Sequence, residues 1–418
     1  MKLLYLHQYF NTPAAAGSTR SYEMARRLVA AGHEVHIVTT DRSTATRRRG
    51  WHETEEAGIR VHWLPIDYDN RMSYSERLRP FLAYAMQAGR RARSIGGDVV
   101  LATSTPLTVA LPGLHAAAGL RAPFVFEVRD LWPEVPIAMG ALGPGIPTFL
   151  ARRLELAAYR SAADIIALSP GMRDGVLRSG VSAERVHVIP NGSDLEVFRA
   201  DPELGASFRR RHPFLADRPM VLYPGTIGKV NGVEYLAQLA AKTASMAPNV
   251  CFVVIGTGAE EDRVRAEAYD LGVLDTNFFM LPRIPKAEMP AAFAAASIAA
   301  SVVIDLKVLE SNSANKVFDA FAAGRPVAIN YGGWQASLLE GSGAGIRLPY
   351  DDLEHAARIL TRTLADSSWL KQAGGEARRL AETRFNRDIL ARELEAVLLG
   401  ALERGPTHSY GRLARSVL

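Results

Sequence analysis

The chain has 418 residues, 48% of them apolar and 22% charged, which excludes a disordered chain. A single hydrophobic core stops growing near roughly 250–300 residues, so this length predicts two domains of about 200 residues each. With 49 basic against 44 acidic residues the net charge is only +5, which argues against nucleic acid as a partner. The one cysteine, Cys251, lies in an apolar run and excludes an intrachain disulfide or a multi-thiolate metal site. The longest apolar stretch, Ala291 to Ile304, is 14 residues long, short of the ~20 that a membrane span needs. The first eight residues turn polar at His7 and Gln8, too early for a signal peptide. These features predict a cytoplasmic protein, with any membrane contact peripheral and at the inner face of the plasma membrane.

Short β-branched or aromatic runs alternate with Ala-, Leu- and Arg-rich segments. In the first half the predicted strands are Lys2–Leu6, Glu34–Thr39, Arg60–Pro65, Asp98–Thr103, Pro123–Val128, Asp164–Leu168 and Val186–Ile189. The first helix runs from Ser18 to Ala31 with Tyr22, Ala25, Leu28 and Val29 on one face, Ser18 as N-cap and Gly32 as the stop. Residues 191–219, rich in Gly, Pro and Arg, read as a connection between domains. A second series of strands follows at Met220–Tyr223, Val250–Ile255, Asn277–Leu281, Ile298–Ile304, Pro326–Asn330 and Gly345–Leu348. Three helices are then predicted, at Asp351–Asp366, Ser367–Thr383 and Asn386–Leu399. This alternation predicts an α/β protein with two doubly wound, Rossmann-like domains, residues 1–192 and 193–385, facing each other across a cleft. The stretch 386–418 is expected to pack back on the first domain or, at its basic end, to be disordered. In doubly wound sheets ligands bind outside the carboxyl ends of the strands, so the loops there carry the chemistry.

Four segments stand out. Asn11 to Arg20 contains Gly17 at a strand-to-helix turn, where a backbone can approach an anion; an ordinary loop fits equally well. Tyr223-Pro-Gly225-Thr226-Ile-Gly228-Lys229 is a Gly-rich loop with a cation, and its spacing fits neither a P-loop nor a dinucleotide fingerprint. Lys229 reads as a phosphate neutraliser or as a solvated loop lysine. Gly256-Thr-Gly258 has Glu261 where a third glycine is needed, so it reads as a tight turn. The fourth segment carries most weight. Ser311, Asn312 and Ser313 read as caps of a helix through Ala314, Asn315, Lys316 and Asp319, which offers amides and a lysine for phosphate and a carboxylate for hydroxyls. A capped surface helix with a Lys316–Asp319 pair is the competing interpretation.

These residues, with Gly32-His33-Glu-Val35, Val188-Ile-Pro190-Asn191-Gly192-Ser-Asp194 and Asp319-Ala-Phe-Ala-Ala-Gly324-Arg-Pro326-Val, resemble the retaining glycosyltransferases of family 4, which have the GT-B fold. Glu127-Val-Arg129-Asp130-Leu-Trp132-Pro133-Glu134 is similar to bacterial members that transfer N-acetylfucosamine-type sugars during O-antigen or capsule assembly. The resemblance puts the ribose-binding carboxylate at Asp319. The family's earlier carboxylate falls on Ser311, with Glu310 one position away. Its phosphate-binding Arg and Lys fall on Thr226 and Asn231, which leaves Lys229 and Lys316 or Arg283 to supply charge. Its nucleobase slot falls near Arg283 and Ile284, and Arg129, beside Asp130, replaces a histidine of the first domain.

The resemblance therefore implies transfer from a nucleotide diphosphate sugar, a UDP-sugar by expectation, to a glycan or polyprenyl-diphosphate acceptor. It implies metal independence and no cofactor; Asp67-Tyr-Asp69 reads as a chance D-x-D. Diphosphate departure gathers negative charge, which Lys229 and fixed N–H groups are placed to meet, while Arg129 and Asp130 position the acceptor or sugar. Eleven arginines against seven acids between Asp41 and Arg93, with apolar residues from Leu78 to Met86, suggest contact with anionic lipid; a core-packed helix with solvated arginines explains them equally. A UDP-sugar epimerase of the same architecture and a catalytically inactive sugar-nucleotide-binding or membrane-docking protein are the alternatives.

Overall fold

A computed structural model describes residues 1–14, 17–42, 50–67, 72, 74–198 and 201–406. The chain forms two compact units. One comprises Met1–Pro190, Ser311–Ser313 and the chain from Asp388 on; the other comprises Asn191–Glu310 and Ala314–Arg387.

The first unit holds an eight-stranded sheet: β1 (Lys2–Leu6), β2 (Glu34–Asp41), β3 (His52–Glu56), β4 (Ile59–Pro65), β5 (Val99–Thr103), β6 (Phe124–Val128), β7 (Asp164–Ala167) and β8 (Val186–Val188). Their spatial order is β3-β4-β2-β1-β5-β6-β7-β8, and every pair is parallel except β3 with β4. Strands β5, β6 and β7 are buried throughout, as expected where helices cover both faces. Helix Arg20–Ala30 and helix Arg387–Arg404 share one core with β1, through Met24, Leu28, Leu390, Leu394 and Leu398. Arg404 adds an ion pair with the buried Asp164. The antiparallel strand β3 is absent from the strands expected on sequence. It is a polar edge strand, His52-Glu-Thr-Glu-Glu56, with none of the apolar signal that marks a strand facing a core.

The second unit holds six parallel strands: β9 (Met220–Pro224), β10 (Cys251–Ile255), β11 (Phe278–Leu281), β12 (Ile298–Ser301), β13 (Val327–Ile329) and β14 (Gly345–Arg347). They lie in the order β11-β10-β9-β12-β13-β14, the doubly wound arrangement. Cys251 is buried in β10 as a small apolar residue. The segment expected to be only a connection contains a helix, Pro202–Arg211. Asp201 caps it by accepting from the Glu203 amide at 2.9 Å, Pro202 occupies its first turn, and its own Phe208 is buried. The Asp-Pro start is visible in the sequence but obscured by the arginine run that follows. Helices Leu353–Ala365 and Ser367–Thr383 begin at Asp352 and Asp366, which accept from the amides of His355 and Trp369, each at 2.8 Å. Among the described residues, no helix is long and apolar enough to cross a membrane.

Candidate functional site

In each sheet the strand order reverses direction at one point, between β1 and β5 in the first and between β9 and β12 in the second. Helices leave opposite faces of the sheet there, which opens a crevice at the carboxyl ends of the strands. Side chains from distant parts of the sequence meet at both points.

In the first unit β1 ends at His7, which is buried. Arg129, just past β6, directs Nη1 to His7 Nε2 at 3.1 Å and donates from Nη2 to Ser18 Oγ at 3.2 Å, while its amide donates to Ser104 Oγ at 3.0 Å. Burial, with help from the Arg129 and Arg42 charges, holds His7 well below the usual imidazole range, so its ring is neutral. A neutral ring accepting at Nε2 carries its proton on Nδ1. Asp130 is half-buried; burial pushes its carboxyl up to about 6, and the adjoining Arg129 charge opposes that rise. Gly17, at φ +131°, turns the loop where any side chain would run into Asn11.

Below this layer lies a buried ion pair. Arg20 donates from Nε and Nη2 to Glu127 Oε1 at 3.0 and 2.9 Å, and to the Pro190 and Ile189 carbonyl oxygens at 2.6 and 2.9 Å. Thr103 Oγ1 donates to Glu127 Oε2 at 2.5 Å. Burial tends to raise the Glu127 carboxyl, but Arg20, Arg129 and these hydrogen bonds prevail and hold it below its ordinary range. A buried charge persists only when its partners are complete, as here. Sequence reasoning reaches Glu127 and Arg20 only as parts of motifs. The available signal is one carboxylate within the otherwise apolar run Phe124-Val-Phe-Glu127-Val128.

Ser18 does not cap the first helix. The helix starts at Arg20 with Thr19 at the N-cap position and no cap bond from its side chain; the Ser18 hydroxyl, one residue earlier, accepts both from the Arg20 amide at 3.5 Å and from Arg129.

In the second unit β9 runs into the Gly-rich loop. Gly225 has φ +149°, and its amide donates to the Ile255 carbonyl at 2.9 Å; the Ile227 amide donates to Thr257 O at 3.0 Å. A Cβ on Gly256 would lie 1.8 Å from Gly225 O, and one on Gly258 2.1 Å from Ile227 O. The Gly256-Thr-Gly258 turn thus exists to let two loop backbones touch. Gly228 leads into a single 3-10 turn, Lys229–Asn231, on which Lys229 and the neighbouring Thr226 are exposed. Gly232, at φ +54°, backs against Val303 and Ile304 just past β12. Arg283 is exposed and Ile284 half-buried in the loop after β11.

Helix Asn315–Ala322 follows β12. Lys316 Nζ sits 3.7 Å from the Tyr223 ring centroid and 3.1 Å from where a Gly225 Cβ would stand. Burial lowers this amine to about 7. Asp319 turns the other way and accepts from Ser193 Oγ at 2.7 Å; burial raises its carboxyl, against the Lys286 and Arg387 charges. The two residues therefore form no pair, because the helix divides them between the β9 loop and the strand-like stretch near Ser193.

Ser311, Asn312 and Ser313 are not caps of this helix. Lys307–Ser311 is a separate 3-10 turn, Ala314 occupies the N-cap position without a side-chain bond, and Ser311–Ser313 group with the first unit while Ala314–Asp319 belong to the second. Glu310 pairs with Lys307 at 2.6 Å. Sequence reasoning also misses a polar cluster past β12 and β13. Asn330 bonds both the amide and the carbonyl of Val303 at 2.9 Å, and Tyr331 joins Ser301 and Gln335 at 3.1 and 2.7 Å. Among the described residues no group of three or more His, Cys, Asp or Glu is arranged to hold a metal. Asp69 and Arg47–Arg49 lie outside the described residues.

Residues 16–192 match the glycosyl transferase 4-like domain, and residues 206–380 match glycosyl transferases group 1. The chain belongs to the family 4 glycosyltransferases. This family 4 chain is 24% identical over 277 residues to the putative colanic acid biosynthesis glycosyl transferase WcaI of Escherichia coli, covering 62% of the chain and 66% of that relative. It is 25% identical over 304 residues to the probable glycosyltransferase WbjE of Pseudomonas aeruginosa, covering 71% and 74%. Its fold is similar to sucrose-phosphate synthase from Thermosynechococcus elongatus, with TM-score 0.78, 18% identity and coverage of 96% and 99%. It is also similar to Anabaena HepE in complex with UDP and glucose, with TM-score 0.72, 18% identity and coverage of 96% and 100%. Family 4 membership and these neighbours establish the GT-B fold for this chain.

Proposed function

We propose that the chain transfers a sugar, an N-acetylated hexose or deoxyhexose, from a nucleotide diphosphate donor to a glycan or polyprenyl-linked acceptor with retention of configuration, in cell-surface polysaccharide assembly. The observation that carries this is the loop Gly225–Gly232 at the β9/β12 reversal. Two glycine contacts hold its backbone open there, with Lys316 beneath and Lys229 at its rim. That combination suits a diphosphate, and the likeness to HepE, whose structure is a complex with UDP and glucose, supports a UDP-sugar. The relatives' names, one in colanic acid biosynthesis, support a polysaccharide product.

In this mechanism negative charge grows on the departing diphosphate oxygen and is met by loop N–H groups, Lys229 and Lys316. The same oxygen takes the acceptor hydroxyl's proton as the new glycosidic bond forms on the face it leaves. No protein nucleophile enters. Asp319 binds the ribose hydroxyls, Arg283 and Ile284 flank the base, and Arg129 and Asp130 orient the reacting sugar and acceptor. Positive charge from two lysines takes the place of a metal, so full activity in a chelator is the expected outcome.

The test is a thermal-shift screen against UDP-, GDP- and dTDP-sugars, followed by NMR of the product's anomeric centre. Stabilisation by one nucleotide class and a product of retained configuration support the assignment. Conversion of the donor with no acceptor present points instead to an epimerase, and binding without transfer to an inactive relative.

A further inference from the structure

The first unit carries an exposed apolar surface. The segment Gly143-Pro-Gly-Ile-Pro-Thr-Phe-Leu150 opens helix Ile146–Ser161, and within it Ile146 is 75% exposed, Phe149 60% and Leu150 59%. Spaced i, i+3 and i+4, these three share one face of the helix. On helix Tyr74–Ile95, Leu78, Leu82 and Met86 are exposed at intervals of four and so form a second row. Single exposed apolar side chains are ordinary; two clustered rows of large ones mark a contact surface.

Topology brings both rows to one end of the sheet. Both helices pack against helix Ala110–Leu120, and both touch the turn Leu107–Val109 that follows β5. The first follows β4; the second comes after β6 and the short helix Glu134–Ala138 and leads into β7, so each starts toward the carboxyl edge, and Gln8 Nε2, just past β1, donates to Pro80 O at 3.4 Å. His7, Arg129 and Asp130 lie at this same edge.

Charge selects the occupant. The two helices contain eight arginines and two acids. Of those acids Glu155 is buried. Arg152 and Arg153 border the apolar turn; Arg152 pairs with Glu134 at 3.2 Å and Arg91 with Glu53, which leaves six of the eight arginines outside these pairs, and the Arg153 guanidinium lies 5.7 Å from the Phe149 ring centroid. Two copies of so basic a face repel each other, whereas acidic headgroups attract it and acyl chains take its apolar residues. We propose that this face docks on an anionic lipid bilayer, with Ile146, Phe149 and Leu150 inserted below the headgroups and Leu78, Leu82 and Met86 as a second contact. The sequence points to residues 42–93 alone; the inserted turn lies some fifty residues beyond them.

Co-sedimentation of the full chain with vesicles of phosphatidylcholine, with and without phosphatidylglycerol, tests this. Binding is expected to require phosphatidylglycerol and to weaken as salt rises. The double substitution Phe149→Ser with Leu150→Ser is expected to weaken binding by roughly tenfold or more, because two large apolar side chains no longer leave water. Both residues are exposed, so the variant's thermal melt and UDP affinity should match the wild type. No vesicle binding, equal binding to both vesicle types, or undiminished binding by the variant overturns the proposal. So does a concentration-dependent dimer in ultracentrifugation that the substitutions abolish, which identifies a second copy as the occupant. Vesicle binding is read without turnover, so its failure is distinguishable from failure of the transferase assignment.

Discussion

Replacing Lys316 by Met probes the second unit's chemistry directly. Met keeps most of the stem over the Tyr223 ring but removes the amine that sits 3.7 Å from the ring centroid. In the free protein burial lowers this amine to about 7, so it is half charged near neutrality. A diphosphate oxygen arriving at contact distance, ~4 Å, gains about 4 kcal/mol per unit charge at an effective dielectric constant near 20. At about pH 8 the amine must first take up a proton, at a cost of roughly 1.4 kcal/mol. The surplus, about 2–3 kcal/mol, corresponds to roughly 30- to 150-fold in affinity. UDP should therefore bind about a hundredfold more weakly to Lys316→Met near pH 8. In the wild type affinity should fall up to tenfold per pH unit above 7, and in the variant it should not follow that slope. Calorimetric titration in two buffers of different ionisation heat measures both quantities, with proton uptake expected above pH 7 only in the wild type. Stability gives an independent control. The unfolded chain holds the lysine proton up to about 10.5 and the folded chain only to about 7, so wild-type stability rises with pH across that window. The variant lacks that rise and is at least as stable in acid. Equal UDP affinities in the two proteins, or no proton uptake by the wild type, would refute the role given to Lys316.

Lys229→Ala should lower kcat roughly 10²-fold and weaken UDP, which carries the developed charge, more than it weakens the intact donor; steady-state kinetics beside UDP and UDP-sugar titrations checks this. Asp319→Asn, which can still accept from Ser193, should weaken UDP binding about tenfold, with kcat little changed and a normal thermal melt. Gly256→Ala places a methyl group 1.8 Å from Gly225 O, so the two loops must part; a loss of about 1–3 kcal/mol in chemical denaturation, together with lost donor binding, is expected. His36 and His62 stack with ring nitrogens 2.9 Å apart, and burial lowers both, His62 to about 4. The unfolded chain takes up these protons near 6.5 and the folded chain only further into acid. Stability is thus lost as pH falls from about 6.5 toward 4, and the urea midpoint should drop less steeply in His62→Gln.

Much of the fold is legible because its signals are local. Parallel strands covered on both faces must be continuous apolar runs, and Lys2–Leu6, Phe124–Val128 and Cys251–Ile255 are such runs. Glycines at strand ends likewise announce the loops at both reversal points. Lys229, Gly225 and the Arg129-Asp130 pair stand out because backbone freedom and charge at the end of a strand can be read from a single segment. The polar strand β3 and the helix Pro202–Arg211 escape for the opposite reason. One lacks an apolar face, and the other is masked by arginines that look like a linker.

Side-chain partnership is beyond the sequence. Lys316 and Asp319 are three residues apart and look like a pair, yet one turns to Tyr223 and the other to Ser193. Ser18 looks like the cap, but Thr19 holds that position, and the Ser18 hydroxyl is shared between the Arg20 amide and Arg129, far along the chain. Spacing in sequence fixes which residues share a turn of helix. Which hydroxyl, ring or carboxylate stands opposite is set by the strand order, which brings residues 20 and 127, or 223 and 316, together from remote parts of the chain. The sequence by itself determined the apolar strands, the glycine loops and the family. Only the tertiary structure decided which charges are buried, which are paired, and which amine is left near neutrality for an anionic ligand, because those depend on desolvation by neighbours distant in the chain.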